Sequence, residues 1–99
     1  MTTLQAIKNV LLQAKPALMQ RYGLSAIGIF GSAVRDDFRE DSDLDIVVEF
    51  SRPVGMEFIE LADALEKLTG RRVDLVSRKG LSERSYNFIK DELQYVQEK

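Results

Sequence analysis

Two short apolar runs that enclose an acidic segment constrain the fold more than any other feature of this 99-residue chain. The runs cover residues 26–30 and 44–50, and both are short and partly β-branched, as buried strands are. The segment between them is rich in carboxylates. Asp43 directly precedes the second run, and Asp45 lies within it. A carboxylate in a buried strand is strongly destabilising unless a positive group compensates it. The sequence therefore raises the question of what compensates these two acids.

Hydrophobic periodicity predicts the other elements. Apolar residues at helical spacing predict a helix from residue 3, which Pro16 should end or kink near Ala14, with a second short helix closing at Tyr22 and Gly23. A further amphipathic helix is predicted over residues 56–68, with Gly70 as its stop. Its predicted apolar face consists of Phe58, Ile59, Leu61, Ala62, Leu65 and Leu68. The remaining predictions are a helical turn over 33–36, a polar loop over 38–42, strands over 72–76 and 93–96, and a helix capped by Ser82 that ends near residue 90.

This order of elements is typical of a small α/β or α+β domain with a mixed three- or four-stranded sheet covered by helices. Only about 13 residues connect the first two strands, which allows antiparallel pairing, whereas the helix between the second and third allows a parallel crossover. We expect residues 1–99 to form a single domain, because this length supports one hydrophobic core.

The absence of cysteine and histidine restricts the chemistry. The chain contains no cysteine, which excludes thiol nucleophiles, disulfides and cysteine-bound zinc. It also contains no histidine, which excludes a Ser-His triad and the commonest imidazole metal ligand. An enzyme with this composition works with carboxylates, hydroxyls, amines and a hard metal held by oxygen atoms.

The net charge of −2 argues against direct binding of nucleic acid by the chain as a whole. Basic residues nevertheless flank the third apolar run, at Arg71, Arg72, Arg78 and Lys79, and either solvated surface charge or a functional role explains them. No apolar run approaches the ~20 residues of a membrane span, and no signal-peptide pattern begins the chain. We therefore expect a cytoplasmic protein without membrane contacts.

The acids of the second and third strands point to a metal site. Side chains alternate along a strand, so Asp43 and Asp45 project to the same face with their Cα atoms ~6.5–7 Å apart. Asp74 lies inside the third apolar run, and it joins them if the second and third strands are neighbours. Three ionised acids raise one another's pKa unless a cation such as Mg²⁺ or Mn²⁺ offsets their charge. The alternative is a pair of strand-end acids that face water and bond to Ser32 or Arg35.

Gly31 and Ser32 follow the first predicted strand, where a helical turn is expected to begin. Glycine allows a ligand to approach the backbone, while the hydroxyl and the free N–H groups of such a turn suit an anion. A Gly-Ser turn by itself is weak evidence. Beside a metal-binding acid pair, it predicts a nucleoside triphosphate with its phosphates on the turn.

At this point the residues match a known family. Gly31-Ser32, ten residues, and then Asp43-Leu44-Asp45 resemble the signature of the polymerase-β-like nucleotidyltransferase superfamily. More narrowly, the segments at residues 30–35 (FGSAVR) and 42–46 (SDLDI) resemble the minimal nucleotidyltransferase (MNT) group. The resemblance covers nearly the whole chain, including the leading helices, Asp74 and the ending at residues 89–92 (IKDE). It implies the polymerase-β-like nucleotidyltransferase fold.

The resemblance also implies residue roles. Asp43 and Asp45 would hold two Mg²⁺ ions, and Asp74 would complete the shell of one ion and help to deprotonate the attacking hydroxyl. Gly31 and Ser32 would bind the triphosphate of ATP. Arg35 would be an accessory phosphate or structural partner, or else an ion-pair partner of a nearby acid. Relatives often have glycine directly after this arginine, whereas this chain has Asp36.

Members of the MNT group are antitoxins whose partner is a helical HEPN-domain ribonuclease toxin. The resemblance implies transfer of AMP from ATP to a hydroxyl of that toxin, expected to be a tyrosine near its active site, where the added charge and bulk block RNA. We expect a monomer or weak dimer alone, with an apolar patch for the partner formed by Phe58, Tyr86, Phe88 and Tyr95.

Two alternatives belong to other functional classes. A non-catalytic antitoxin has the same fold and silences the toxin by binding alone, although the intact set of three acids argues against it. A phospho-receiver domain also has an acidic Mg²⁺ site. Its acid pair follows the first strand directly, whereas Asp36 and Asp37 come too late, and five βα units do not fit into 99 residues.

Overall fold

The computed structural model describes residues 4–35, 38–39 and 41–97. Their secondary structure follows the predicted order, with the first two strands joined through a short 3-10 turn. The elements are α1 (Leu4–Tyr22), β1 (Leu24–Phe30), the 3-10 turn (Gly31–Ala33), β2 (Leu44–Phe50), α2 (Glu57–Thr69), β3 (Val73–Ser77), α3 (Glu83–Ile89) and β4 (Gln94–Tyr95). The predicted polar loop and the end of the predicted turn fall partly outside the described residues.

The strands form one mixed sheet in the order β3-β2-β1-β4. β1 runs antiparallel to both of its neighbours, β2 and β4, whereas β2 and β3 are parallel. The α2 helix makes the crossover between the two parallel strands, as a parallel connection requires. The predicted fold, a small mixed sheet covered by helices, is therefore confirmed, and the sheet has four strands where three or four were expected.

Alternation along β2 separates the core from the site. Leu44, Ile46 and Val48 are buried and pack in the main hydrophobic cluster, as the alternation predicts. The same cluster takes Ile7 and Leu11 from α1, while α1 and α2 also contact each other. These helices cover the face of the sheet that carries Leu44, Ile46 and Val48, whereas Asp45 projects from the other face, on which Val47 is also buried.

Pro16 does not divide the first helix, so the prediction of two helices is wrong. α1 is continuous from Leu4 to Tyr22 with Pro16 inside it. Ile7 and Leu11 before the proline and Leu18 and Tyr22 after it are all buried in the same core. A proline inside a helix costs ~3 kcal/mol, and the burial of large apolar side chains on both sides offsets this cost at ~1.5–3 kcal/mol each.

The predicted end of α2 at Gly70 and the predicted cap of α3 at Ser82 are confirmed, but the buried face of α2 is narrower than its predicted apolar face. Gly70 ends α2 in the left-handed conformation, with φ of 70°, and the Ser82 side chain caps α3 by accepting a hydrogen bond from the Ser85 N–H. Leu61 and Leu65 are buried, whereas Ile59 is 56% exposed and Leu68 is 39% exposed. Ile59 and Leu68 therefore belong to the predicted apolar stripe but lie at its exposed edge, because an apolar residue at the edge of a helical stripe need not meet a neighbour.

The four aromatic residues expected to form one patch do not do so. Phe58 packs against Phe50, with ring centroids 6.2 Å apart, and Tyr86 lies under the Arg78 guanidinium at 3.6 Å. Tyr95 belongs to β4, and Phe88 alone of the four is exposed, at 81%.

Among the described residues, no helix is both long and apolar enough to cross a membrane.

Candidate active site

Asp45 and Asp74 are partners in the parallel ladder between β2 and β3. Directly paired residues of neighbouring strands project from the same face of a sheet, so the two carboxylates share the face opposite the core. Asp45 is half-buried and Asp74 is exposed. The structure therefore brings together two of the three predicted acids, from strands that the α2 helix separates in sequence.

Asp43 lies one residue before β2, where it is exposed. Its Oδ1 lies 3.2 Å from Nε of Arg72 in an ion pair, and both side chains are well exposed. No three Asp or Glu side chains of the described ranges form a cluster that could hold a metal ion as they stand. Asp43, the third predicted acid, is therefore paired with Arg72.

The Gly-Ser turn begins directly beside Asp45, because Phe30, the last residue of β1, is the antiparallel partner of Asp45. Gly31 has a φ of +75°, a conformation that side-chain-bearing residues rarely adopt. A Cβ atom at Gly31 would overlap Oδ2 of Asp45. A larger residue at this position would therefore need both this backbone conformation and a shift of Asp45. Ser32 follows, half-buried in the 3-10 turn.

A residue outside the predicted site also contacts this turn. The Gly31 N–H donates to Oε2 of Glu92 at 2.7 Å, and Nη1 of Arg35 lies 3.4 Å from the other carboxylate oxygen of the same residue. The open alternative for Arg35, an ion pair with a nearby acid, is thus seen with Glu92. Glu92 lies in the segment at residues 89–92 that resembles the family, but no short-range sequence pattern linked it to the Gly-Ser turn.

Electrostatics at the acid pair favour a cation. Burial raises the pKa of Asp45, and the charges of Asp74 and Asp43 raise it further, while Arg35 lowers it. Negative charge is therefore in excess at this point of the sheet. Carboxylate oxygens that repel one another suit a hard divalent ion, so the donor set at this end of β2 and β3 fits Mg²⁺ or Mn²⁺.

The basic residues near the third strand have specific contacts. Nη1 of Arg71 donates to the carbonyl oxygens of Arg39 and Ser42, at 2.8 and 3.2 Å, and its guanidinium stacks on Phe38 at 4.0 Å. Arg71 thereby holds the segment that leads to Asp43. Arg72 pairs with Asp43, and Arg78 stacks on Tyr86. Of the four basic residues near the third strand, the exposed Lys79 is thus the one that agrees with solvated surface charge.

A cavity of about 500 Å³ opens at the opposite ends of β2 and β3. It is lined mainly by the loop that follows β2, together with Phe50, Phe58, Ser77 and Lys79. None of the predicted site residues contributes to it. The residues that the sequence predicts for the nucleotide site, including Gly31, Asp45 and Asp74, lie outside this cavity.

Comparison with known proteins identifies the family. The family model described as "Nucleotidyltransferase domain" matches residues 11–96. The chain belongs to this family. The match contains the Gly-Ser turn and all three predicted acids, and this nucleotidyltransferase is therefore an enzyme of the class that its sequence motif indicated.

Two similar proteins match nearly the whole chain. The chain is 43% identical over 97 residues to the protein adenylyltransferase MntA of Thermococcus cleftensis, covering 97% of this chain and 98% of that protein. A solved structure provisionally described as a minimal nucleotidyltransferase has a TM-score of 0.78 and 35% identity, covering 94% of this chain and 95% of that one. The resemblance to the minimal nucleotidyltransferases is confirmed.

A more distant structure shares the fold. The MNT antitoxin in complex with a tri-AMPylated HEPN toxin from Shewanella oneidensis is matched with a TM-score of 0.65 at 20% identity, covering 93% of this chain and 73% of that chain. A toxin–antitoxin structure with AMP-PNP gives a TM-score of 0.69 at 21% identity over the same shares. At these identities the likeness shows a common fold.

Proposed function

We propose that this nucleotidyltransferase transfers AMP from ATP to a hydroxyl group, expected to be a tyrosine, of a HEPN-domain toxin, and so acts as its antitoxin. The observation that carries the proposal is the pairing of Asp45 with Asp74 directly beside the glycine of the Gly-Ser turn. An acid pair next to an anion-binding turn is the arrangement that a metal-bound triphosphate needs.

The residues would divide the work as follows. Asp43, Asp45 and Asp74 would hold two Mg²⁺ ions, which when bound supply neutralisation of the triphosphate and of the departing pyrophosphate. Gly31 and Ser32 would bind the phosphates through the backbone N–H and the hydroxyl, and Arg35 would add a positive charge four residues after the glycine. Holding Asp43 in this set requires its release from Arg72.

The transfer itself forms one bond and breaks one. The acceptor hydroxyl oxygen bonds to the α-phosphorus, the bond from that phosphorus to the bridging oxygen breaks, and pyrophosphate leaves. The hydroxyl proton passes to Asp74, which is exposed at the edge strand where an acceptor can reach it. No histidine is needed, in agreement with the composition.

Two similarities support the choice of acceptor. The relative with 43% identity over nearly the entire chain is named a protein adenylyltransferase. A structure of the same fold contains a tri-AMPylated HEPN toxin together with its MNT antitoxin. A protein hydroxyl as acceptor is consistent with the exposure of Asp43 and Asp74, beside which Asp45 is half-buried.

Intact mass spectrometry tests the proposal. The chain is incubated with ATP, Mg²⁺ and a candidate HEPN-domain protein, and that protein is expected to gain the mass of one or more AMP units. Asp45→Asn should reduce the rate by at least ~10³-fold, because a metal ligand is lost at the developing charge. Asp63→Asn, a matched change at an exposed acid on α2, should leave the rate unchanged.

The same experiment distinguishes a transferase from a non-catalytic antitoxin that acts by binding alone. If the toxin is inhibited without any gain in mass, and Asp45→Asn inhibits it equally well, then the chain acts by binding alone. If neither inhibition nor a gain in mass occurs, the HEPN partner itself is wrong and the acceptor must be sought among other hydroxyl compounds.

A further inference from the structure

The carboxylate of Glu92 contacts the same donor groups that a nucleotide phosphate would bind. One of its oxygens accepts the Gly31 N–H at 2.7 Å, and the other lies 3.4 Å from Nη1 of Arg35. A backbone N–H at a glycine turn and a nearby guanidinium are the usual partners of a phosphate group. The carboxylate bridges both, as two oxygens of one phosphate would.

The sheet holds Glu92 at this position. β4 pairs with β1 so that Gly28 faces Tyr95 and Ile29 faces Gln94. Continuing this antiparallel register by two residues sets Glu92 opposite Gly31. The turn after α3 reinforces the arrangement, because the backbone N–H groups of Glu92 and Leu93 both donate to the carbonyl oxygen of Ile89 at 3.0 Å.

The charge of Glu92 also acts on the acid pair. It is one of the groups that raise the pKa of Asp45, after burial and the charges of Asp74 and Asp43. Its side chain is 21% exposed, so water screens it only partly. A triphosphate that arrives at the turn therefore meets a carboxylate that competes for the same donors and repels it.

We propose that Glu92 is an internal competitor of the nucleotide, which keeps the phosphate-binding groups of the turn occupied until a triphosphate displaces it. This inference rests on the proposed function, because it takes the Gly-Ser turn as the phosphate site. In the empty enzyme the carboxylate satisfies the Gly31 N–H and pairs with Arg35. Binding requires the conformer with Glu92 released, so the apparent affinity is lowered by the fraction of molecules in that conformer.

Nucleotide affinity tests the inference without any transfer step. Isothermal titration calorimetry with AMP-PNP and Mg²⁺ is carried out on the wild type and on Glu92→Ala. The variant should bind roughly threefold to tenfold more tightly, because the binding-competent conformer no longer has to be released. Glu92→Gln, which keeps a hydrogen-bond acceptor but loses the charge, should bind with an intermediate affinity.

Asp91→Asn is the matched control, since it removes the same charge from the adjacent, exposed position. It should bind like the wild type. Equal or weaker binding by Glu92→Ala, or equal tightening by Asp91→Asn, overturns the inference and makes Glu92 a support of the turn or a mere source of charge. If Glu92→Ala does not fold, Glu92→Gln decides by the same criterion.

The wild type separates this inference from the proposed function. If the wild type binds AMP-PNP with Mg²⁺ and only the effect of Glu92 is missing, the nucleotide site stands and the competition does not. If the folded wild type binds no AMP-PNP at all, the proposed function fails first, and the competition fails with it.

Discussion

Asp45 of β2 and Asp74 of β3 face each other across a parallel ladder, at the point where the last residue of β1 meets Asp45 from the other side. Three strands thus deliver two acids and a glycine turn to one small area. Because β2 and β1 also build the core, the position of Asp45 is coupled to the whole fold. The first two predictions test this coupling.

Asp45→Asn should raise the melting temperature of the metal-free protein at neutral pH. Burial, followed by the charges of Asp74 and Asp43, raises the pKa of Asp45 in the fold above its ordinary value of 3.8. A carboxyl group with a raised folded pKa stabilises the fold at low pH, and this stabilisation is lost as pH rises through the folded pKa. At neutral pH the ionised group therefore opposes folding, and the amide removes this opposition.

Thermal unfolding in EDTA at a series of pH values measures the effect. The difference between Asp45→Asn and the wild type should be largest at neutral pH and shrink as the solution becomes acidic. Asp63→Asn serves as the control for the loss of one exposed negative charge. A lower melting temperature for Asp45→Asn at neutral pH would mean that the carboxylate has a stabilising partner.

Gly31→Ala should destabilise the protein by at least ~1 kcal/mol more than Gly70→Ala, as measured by urea unfolding. The two glycines have nearly the same φ, +75° and +70°, so the cost of the left-handed conformation is shared. They differ in their surroundings, because a Cβ at Gly31 overlaps Asp45 whereas a Cβ at Gly70 meets no atom within 4 Å. Equal losses in the two variants would show that Asp45 moves aside freely.

Arg72→Gln should reduce the Mg²⁺ concentration required for half-maximal AMP-PNP binding by roughly twofold to fivefold. Arg72 pairs with Asp43 at 3.2 Å and so competes with a metal ion for that carboxylate. Because the Arg72 side chain is 79% exposed, its loss should change the free energy of unfolding by less than about 1 kcal/mol.

A titration of Mg²⁺ at fixed AMP-PNP concentration provides the measurement. Arg84→Gln is the control, since Arg84 is exposed on α3 and its loss changes the net charge equally. If Arg72→Gln instead needs more Mg²⁺, then the arginine orients Asp43 for the metal, and competition between them is the wrong description.

The stability of the protein should fall between about pH 10 and pH 12 because of Tyr95. Its burial and its hydrogen bond to Glu49, with the phenol donating at 3.1 Å, raise the pKa of Tyr95 from 10.0 to about 12. The protonated phenol thus stabilises the fold fully below pH 10, and this contribution is lost as pH rises through the folded pKa. Ultraviolet absorbance of the phenolate follows the titration.

Glu49→Gln should lower the pKa of Tyr95, because the negative charge that opposes formation of the phenolate is removed. Tyr95→Phe identifies the transition, since the late ionisation should then disappear from the absorbance curve. An unchanged curve in Glu49→Gln would assign the raised pKa to burial and to the neighbouring Tyr86.

The sequence by itself determined the elements and the chemistry of this nucleotidyltransferase. The alternation of Leu44, Ile46 and Val48 with Asp45 already separates a core face from a functional face, because the period of a strand is a local property. The Gly-Ser turn and the Asp43-Leu44-Asp45 spacing are local as well, and they led to the right family. The stop at Gly70 and the cap at Ser82 follow from the same kind of short-range rule.

Only the tertiary structure decided what long-range contacts control. Pro16 stays inside α1 because core residues on both sides of it are buried together, which a local helix rule cannot weigh. Glu92 reaches Gly31 through the register of β4 on β1, and Arg72 meets Asp43 through the neighbouring strand and loop. These contacts join residues that are distant in sequence and depend on strand order and register, neither of which is written in the periodicity of any one segment.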